Sequence, residues 1–131
     1  RISILDDTYN ANPSALLAAL DVLRNKDGAK WVIIGDMKEL GRFSNGYHLN
    51  AGKQMKDAGV DRLFTIGEMG VHVAKGFQGL AEHFSSQEKL ISRILEISVK
   101  SEVDINLLVK GSRAMQLESV VNALVISEEN R

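Results

Sequence analysis

The feature of this sequence that most constrains its fold is a regular alternation of short apolar segments with longer amphipathic ones. The short segments are mostly β-branched and are bounded by glycine or charged residues, which is typical of strands buried on both faces of a parallel sheet. They lie at residues 2–5, 31–34, 63–66 and 107–109, with residues 83–85 as a further candidate strand.

In the longer segments apolar residues recur every three or four positions, which is the helical period. The predicted helices cover residues 15–23, 47–58, 70–77, 87–98 and 114–125. This βαβ alternation predicts an α/β fold, with an open, mostly parallel twisted sheet of five to six strands and helices on both faces. Residues 25–28 are predicted to form a surface turn and residues 127–131 a frayed end.

Composition restricts the class of protein and of partner. The chain has 131 residues, 44% of them hydrophobic, which is enough to bury the core of one domain. The sequence has 16 basic and 17 acidic residues, so no net basic field favours nucleic acid or a membrane surface as a partner. The absence of cysteine excludes disulfides and thiolate metal sites. Because the chain opens inside a predicted strand without an initiator methionine, we expect a piece of a longer protein.

Polar residues 6–13 form a turn between the first predicted strand and the first predicted helix. Open α/β sheets bind ligands at the carboxyl ends of their strands, and the N-terminus of the following helix favours anions. Asn12 has the side chain of an N-cap and Pro13 suits the first helical position, so a purely structural role is open for both. Capping requires neither Asp7 nor Tyr9, and a nucleotide is therefore the first ligand to consider.

Two further turns follow predicted strands. Residues 35–41 combine two glycines, two acids and a lysine, so Asp36 and Glu39 either orient a cation or basic partner or belong to a solvated loop. After the last predicted strand, two cations, a glycine and a hydroxyl suit an anionic ligand, with an N-cap as the alternative role of Ser112.

Three well-known site patterns are missing or incomplete. Residues 41–46 have the glycine spacing of a P-loop, but Tyr47 and His48 stand where that motif needs a lysine and a hydroxyl. No GxGxxG follows the first strand, and the three histidines lack the spacing of zinc ligands. His48, close to the second turn, is a candidate site residue, with a structural or exposed role as the alternative.

Three strings in this order, DDTYNANPS at 6–14, GDMKELG at 35–41 and VKGSRAMQLESVV at 109–121, resemble the C-terminal domain of a Mur ligase. Within that family they are most similar to the MurF type, the ligases that join D-alanyl-D-alanine to UDP-MurNAc-tripeptide in peptidoglycan synthesis. The similarity covers nearly the whole chain, and each string falls at a predicted strand end.

The resemblance implies a cytoplasmic bacterial enzyme of three domains, monomeric, with residues 1–131 as its C-terminal domain and its own N-terminal and central domains as partners. In this family ATP, with Mg²⁺ held mainly by the central domain, phosphorylates the carboxylate of UDP-MurNAc-tripeptide. The amine of D-alanyl-D-alanine then attacks the acyl phosphate. The C-terminal domain is expected to close over the central one as a lid and to be inactive alone.

The resemblance also implies roles by position. Asp7 matches the acid that accepts hydrogen bonds from the ATP ribose hydroxyls, and its neighbours in the motif lie near the nucleotide: Tyr9, Asn10 and Asn12. Residues assigned to the acceptor or to anionic groups of the substrates are Lys110, Gly111, Ser112, Arg113 and Lys38. Residues that shape or support the loops are Gly35, Asp36, Glu39 and His48. No catalytic residue and no metal ligand is assigned to this domain.

These roles require Asp7, Glu39 and Arg113 to lie on a common rim. The alternative hypothesis is a free-standing α/β module that binds a nucleotide or a protein at the same rim without ligase activity.

Overall fold

The computed structural model describes residues 1–8, 12–111 and 115–129 of the chain. Five strands lie in this part: β1 (Ile2–Asp7), β2 (Ala29–Ile34), β3 (Arg62–Ile66), β4 (Ala81–Phe84) and β5 (Ile105–Lys110). The helices are α1 (Pro13–Arg24), α2 (Ser44–Asp57), α3 (Gly70–Phe77), α4 (Gln87–Ser98) and α5 (Glu118–Glu129), with a 3₁₀ turn at Gly41–Phe43. The predicted α/β fold with a parallel sheet is confirmed.

All strand pairs in this sheet are parallel, and the strand order is β1-β5-β2-β3-β4. The last strand along the chain therefore lies between the first two. Since all five strands run in the same direction, their carboxyl ends meet along one side of the domain, which we call the carboxyl edge. The turns after β1, β2, β3 and β5 all begin there.

Each face of the sheet is covered by helices, as predicted. Strand β5 is buried in all six of its residues because it has a strand on either side and helices over both faces. One core lies under α1, α2 and α3, and its buried residues include Leu16, Leu20, Val32, Met55, Leu63, Phe77 and Leu108. The other lies under α4 and α5, and its buried residues include Trp31, Ile33, Phe64, Ile94, Leu107, Val120 and Leu124.

Helices α2 and α3 approach each other so closely that only glycine fits at the contact. A Cβ atom at Gly76 would collide with the carbonyl oxygen of Leu49, and one at Gly52 would collide with the carbonyl oxygen of Val73. Because both obstacles are main-chain atoms, the helices would have to separate to accept either side chain.

Several element boundaries differ from the prediction, most clearly for the last helix. It was predicted over residues 114–125 but begins at Glu118 and continues to Glu129, so residues 127–129 are helical and not a frayed end. Gln116 has a φ of 53°, which a residue inside a right-handed α-helix does not adopt, so the helix begins after it. Leu117 is buried although it precedes the helix. Helix α2 begins three residues earlier than predicted, and β4 covers 81–84 instead of 83–85. No helix in the described ranges combines the length and the hydropathy needed to cross a membrane.

Candidate functional site

The ends of β1, β5 and β2 lie side by side at the carboxyl edge and bring the start of the three polar turns together. In the sheet register Asp7 pairs with Lys110, and Lys110 pairs with Ile34 on its other side. The Gly35 N–H donates to the Lys110 carbonyl oxygen at 2.8 Å, which extends the β2–β5 ladder into the second turn. Arg113 lies outside the described residues, so its place on a common rim with Asp7 and Glu39 stays a prediction.

Asp7 and Lys110 form an ion pair across the β1–β5 ladder. The Lys110 ammonium donates to Asp7 Oδ2 at 2.7 Å. The lysine side chain is 1% exposed, whereas 28% of the aspartate side chain is open to solvent. A buried ammonium is costly unless it is paired, so this contact makes the burial of Lys110 tolerable. Only the carboxylate side of the pair presents appreciable surface to a ligand.

The first turn continues from Asp7 into a buried threonine. Thr8 is 1% exposed, its N–H donates to Asp6 Oδ1 at 3.2 Å, and its hydroxyl has no hydrogen-bond partner within the described residues. Asn12 Oδ1 accepts from the Ala15 N–H at 2.9 Å, with Pro13 at the first helical position, so the predicted N-cap is confirmed. Tyr9 and Asn10, predicted near the nucleotide, lie outside the described residues.

In the second turn Asp36 binds the start of another helix. Its two carboxylate oxygens accept from the Glu68 N–H at 3.1 Å and the Met69 N–H at 2.9 Å, just before α3 begins. Gly67, with a φ of 107°, allows this close approach, because a Cβ there would lie 2.5 Å from Asp36 Oδ1. Asp36 is 6% exposed. It follows β2, the neighbour of β3, and its two hydrogen bonds cap the start of α3.

The remaining polar residues of the second turn differ in exposure. Lys38 lies 3.8 Å from Asp36 Oδ2 and is half exposed, and Glu39 is exposed with a φ of 62°. His48 is fully buried and accepts from the Met37 N–H through Nε2 at 3.0 Å. Its Nδ1 lies 2.7 Å from the Ser44 carbonyl oxygen, which only accepts, so Nδ1 carries the proton. His48 thus fastens the second turn to α2.

The glycine of the third turn is held by packing. A Cβ at Gly111 would collide with Leu117 Cδ1, and one at Gly35 would lie 3.2 Å from both Leu117 and Met115. Both glycines are buried. Because they have no side chain, the segment that enters α5 can lie against the ends of β2 and β5. Ser112 and Arg113, predicted to bind the acceptor, lie outside the described residues.

Sequence reasoning missed two features of this edge. The turn after β3, with Gly67 and Glu68, was not identified, although Gly67 follows an apolar strand just as Gly35 does. Thr8 belongs to the first motif, but nothing in the sequence marks its hydroxyl as buried. A separate groove of about 550 Å³ lies beside the 3₁₀ turn and is lined by Arg42, Phe43, Gly46, Tyr47 and Asn50.

The described groups at this edge are suited to hydrogen bonding. Among the described residues there is no group of three or more His, Asp or Glu side chains that could hold a metal ion. The carboxyl edge instead offers an oriented carboxylate beside a buried cation, with glycines that keep side chains out of the way. A carboxylate held in this way is an acceptor for ligand hydroxyl groups.

Comparison with known proteins gives a consistent result. Residues 1–113 match the family model described as "Mur ligase, glutamate ligase domain". The chain is 40% identical over 121 residues to the UDP-N-acetylmuramoyl-tripeptide--D-alanyl-D-alanine ligase of Escherichia coli, and 31% identical over 133 residues to that of Bacillus subtilis. These alignments cover 92% and 96% of this chain but 26% and 28% of the relatives, so the chain spans about a quarter of their length.

Solved structures agree with the sequence relatives. The fold superposes on MurF from Acinetobacter baumannii with a TM-score of 0.83 at 29% identity, covering 92% of this chain and 27% of that one. It also matches the MurF ligase of Thermotoga maritima in complex with ADP, with a TM-score of 0.72 at 25% identity, covering 93% and 27%. The chain therefore belongs to the Mur ligase family, in which it corresponds to the glutamate ligase domain.

Proposed function

We propose that this chain is the C-terminal domain of an ATP-dependent amide ligase that adds D-alanyl-D-alanine to UDP-MurNAc-tripeptide in peptidoglycan synthesis. The observation that carries the proposal is the match of more than nine-tenths of the chain to relatives whose names state this activity. The oriented carboxylate at the carboxyl edge supports it, because a nucleotide offers ribose hydroxyls as donors to such a group.

The proposed reaction has two steps. The γ-phosphoryl group of ATP passes to the terminal carboxylate of UDP-MurNAc-tripeptide, which forms an acyl phosphate and releases ADP. The amine of D-alanyl-D-alanine then attacks the acyl carbon, the C–N bond forms and the nitrogen loses a proton. Inorganic phosphate leaves with the bonding electron pair of the C–O bond. Both steps build negative charge on phosphoryl or acyl oxygens, and Mg²⁺ on the ATP phosphates would offset that charge.

In this proposal the domain contributes binding and closure. Asp7 accepts hydrogen bonds from the ribose hydroxyls, and Tyr9, Asn10 and Asn12 complete the nucleotide side of the site. Residues 111–113, together with Lys38 from the second turn, face the acceptor and the anionic parts of the substrates. Gly35, Asp36, Glu39 and His48 hold the second turn in shape.

The other parts of the machinery belong to the rest of the polypeptide in this proposal. The P-loop and the Mg²⁺ site lie in a central domain and the uridine site in an N-terminal domain, all in the bacterial cytoplasm, where ATP and UDP-linked precursors are available. Closure of this domain over the central one would exclude water from the acyl phosphate, which water would otherwise hydrolyse. The isolated 131-residue chain is accordingly expected to have no ligase activity.

The test uses the full-length enzyme that carries this domain and measures phosphate release with both substrates present. We expect amide formation that depends on ATP, UDP-MurNAc-tripeptide and D-alanyl-D-alanine. Asp7→Asn, which keeps an oxygen for Lys110, should raise the Michaelis constant for ATP by about 10- to 100-fold, the effect of one charge-assisted hydrogen bond.

The matched control is Asp21→Ala, which removes an exposed carboxylate from α1 and should leave the constants unchanged. An enzyme that forms no amide bond with D-alanyl-D-alanine would contradict the proposal. A native reading frame that begins near Arg1 and lacks an upstream P-loop would favour the free-standing binding module instead.

A further inference from the structure

The ion pair between Asp7 and Lys110 is asymmetric in its access to solvent. Its lysine is 1% exposed and its aspartate 28% exposed, at a nitrogen–oxygen distance of 2.7 Å. A ligand that approaches the carboxyl edge therefore meets the carboxylate, while the ammonium stays behind it. For Lys110 to contact the carboxylate of a dipeptide, it would have to leave a buried position in which it is already paired.

The two partners also differ in how their main chains are held. Lys110 ends an interior strand that pairs on one side with β1 and on the other with β2, and its carbonyl oxygen accepts from the Gly35 N–H at 2.8 Å. Asp7 ends β1, which among the strands of the described ranges has a neighbour on one side only. The cation thus lies at the end of an interior strand, and the exposed carboxylate lies at the end of an edge strand.

We infer that Lys110 is a positioning residue of the nucleotide site, which orients the Asp7 carboxylate for the ribose hydroxyls, and that it does not bind the acceptor. This inference rests on the proposed function, in which Asp7 contacts ATP. It replaces the role that the family resemblance implies for Lys110, and it leaves the roles of residues 111–113 as proposed.

Two physical effects give the pairing this function. The ammonium fixes the rotation of the carboxylate, so that the oxygen facing the ligand is oriented before the nucleotide arrives. The ammonium also neutralises the negative charge of the Asp7 carboxylate from a distance of 2.7 Å. An uncompensated negative charge would repel the triphosphate of ATP, whereas a neutral pair still accepts hydrogen bonds.

The experiment measures steady-state constants of the full-length enzyme for ATP and for D-alanyl-D-alanine separately. Lys110→Met keeps the length of the buried stem and removes the charge, and Lys110→Arg keeps the charge. We expect Lys110→Met to raise the Michaelis constant for ATP about tenfold or more, with that for the dipeptide within twofold of wild type. Lys110→Arg should recover most of the loss.

The matched control is Lys26→Met, which makes the same substitution at an exposed lysine in the turn before β2, at the opposite edge of the sheet. Its Michaelis constants for ATP and for D-alanyl-D-alanine should equal those of the wild type. A Lys110→Met enzyme whose constant for the dipeptide rises while that for ATP is unchanged would overturn the inference.

A double variant keeps the test decisive if Lys110→Met does not fold. Asp7→Asn combined with Lys110→Met removes both charges, so no buried or exposed charge is left without its partner. Compared with Asp7→Asn alone, the double variant should change the constant for ATP by less than twofold, because Lys110 acts through Asp7. If the double variant instead raises the Michaelis constant for ATP by the product of the factors of the two single variants, the inference is contradicted. A wild-type enzyme that forms no amide bond would instead refute the proposed function.

Discussion

The capping of α3 by Asp36 gives a quantitative prediction that separates a structural from a ligand-binding role for the second turn. The N-cap residue of α3, Met69, has no side chain that caps, and the carboxylate from the end of β2 takes that place. Asp36→Ala removes both carboxylate oxygens, so the Glu68 and Met69 N–H groups at the start of α3 lose their acceptors. Asp36→Asn keeps one oxygen and turns an amide donor toward the other N–H.

The expected size follows from the contacts. A hydrogen bond to a charged group contributes about 1.5 to 3 kcal/mol, and part of this is recovered because water reaches the half-buried N–H groups of the turn. We therefore expect Asp36→Ala to lower the free energy of unfolding by about 2 to 4 kcal/mol, and Asp36→Asn by about half as much. For a domain of this size, 1 kcal/mol corresponds to about 4 °C in melting temperature, so the alanine variant should melt about 8 to 16 °C lower.

Urea and thermal denaturation of the 131-residue domain measure these changes, with Asp61→Ala as the matched control. Asp61 Oδ2 also accepts from a main-chain donor, the Lys30 N–H at 2.8 Å, but this contact is exposed. Its loss should cost less than about 1 kcal/mol, since water replaces the carboxylate. Equal losses for Asp36→Ala and Asp61→Ala would refute the argument that burial makes the Asp36 cap important. A stable Asp36→Ala domain would return this residue to the candidates for ligand binding.

Two further predictions concern the helices. Gly76→Ala should lower the free energy of unfolding by about 2 kcal/mol or more, because its Cβ collides with the Leu49 carbonyl oxygen. Gly46→Ala on α2, where a Cβ meets nothing within 4 Å, should raise it by about 0.5 to 1 kcal/mol, and urea denaturation of both variants tests the pair. Asn12→Ala should cost about 1 kcal/mol by removing the N-cap, and Asn12→Ser should restore most of it. If Asn12→Ser raises the Michaelis constant for ATP at unchanged stability, Asn12 contacts the nucleotide as well.

The layered architecture could be predicted from the sequence, but the strand order could not. A run such as β5, apolar except for Asn106 and Lys110, occurs where a strand is buried on both faces, and amphipathic helices on either side of it supply the cover. Periodicity shows which residues are buried and does not show which strand lies next to which. The position of β5 between β1 and β2 is what makes Asp7 and Lys110 neighbours at a sequence separation of 103 residues.

The start of α5 shows a second limit of periodicity. Leu117 fits the apolar spacing of the predicted helix, yet it lies in the turn before the helix begins. It is buried because it belongs to the core under α4 and α5 and lies against Gly111. Gln116 beside it has the φ of 53° that redirects the chain. Apolar spacing reports burial alone, and a buried residue of a turn gives the same signal as a buried residue of a helix.

The charged residues of the three turns could be identified from the sequence, but their partners depend on tertiary structure. A charge at the end of a strand meets a ligand, solvent or a group from a neighbouring element, and a sequence-based assignment favours the ligand whenever the turn resembles a known motif. Here Asp36 caps α3 and Lys110 pairs with Asp7, so two charges of these motifs bind protein groups. Both contacts place a charged partner behind the surface that a ligand would touch. In the proposed nucleotide site, affinity for ATP should therefore also depend on a buried residue, Lys110, and a count of ligand contacts alone would underestimate the number of residues whose replacement alters binding.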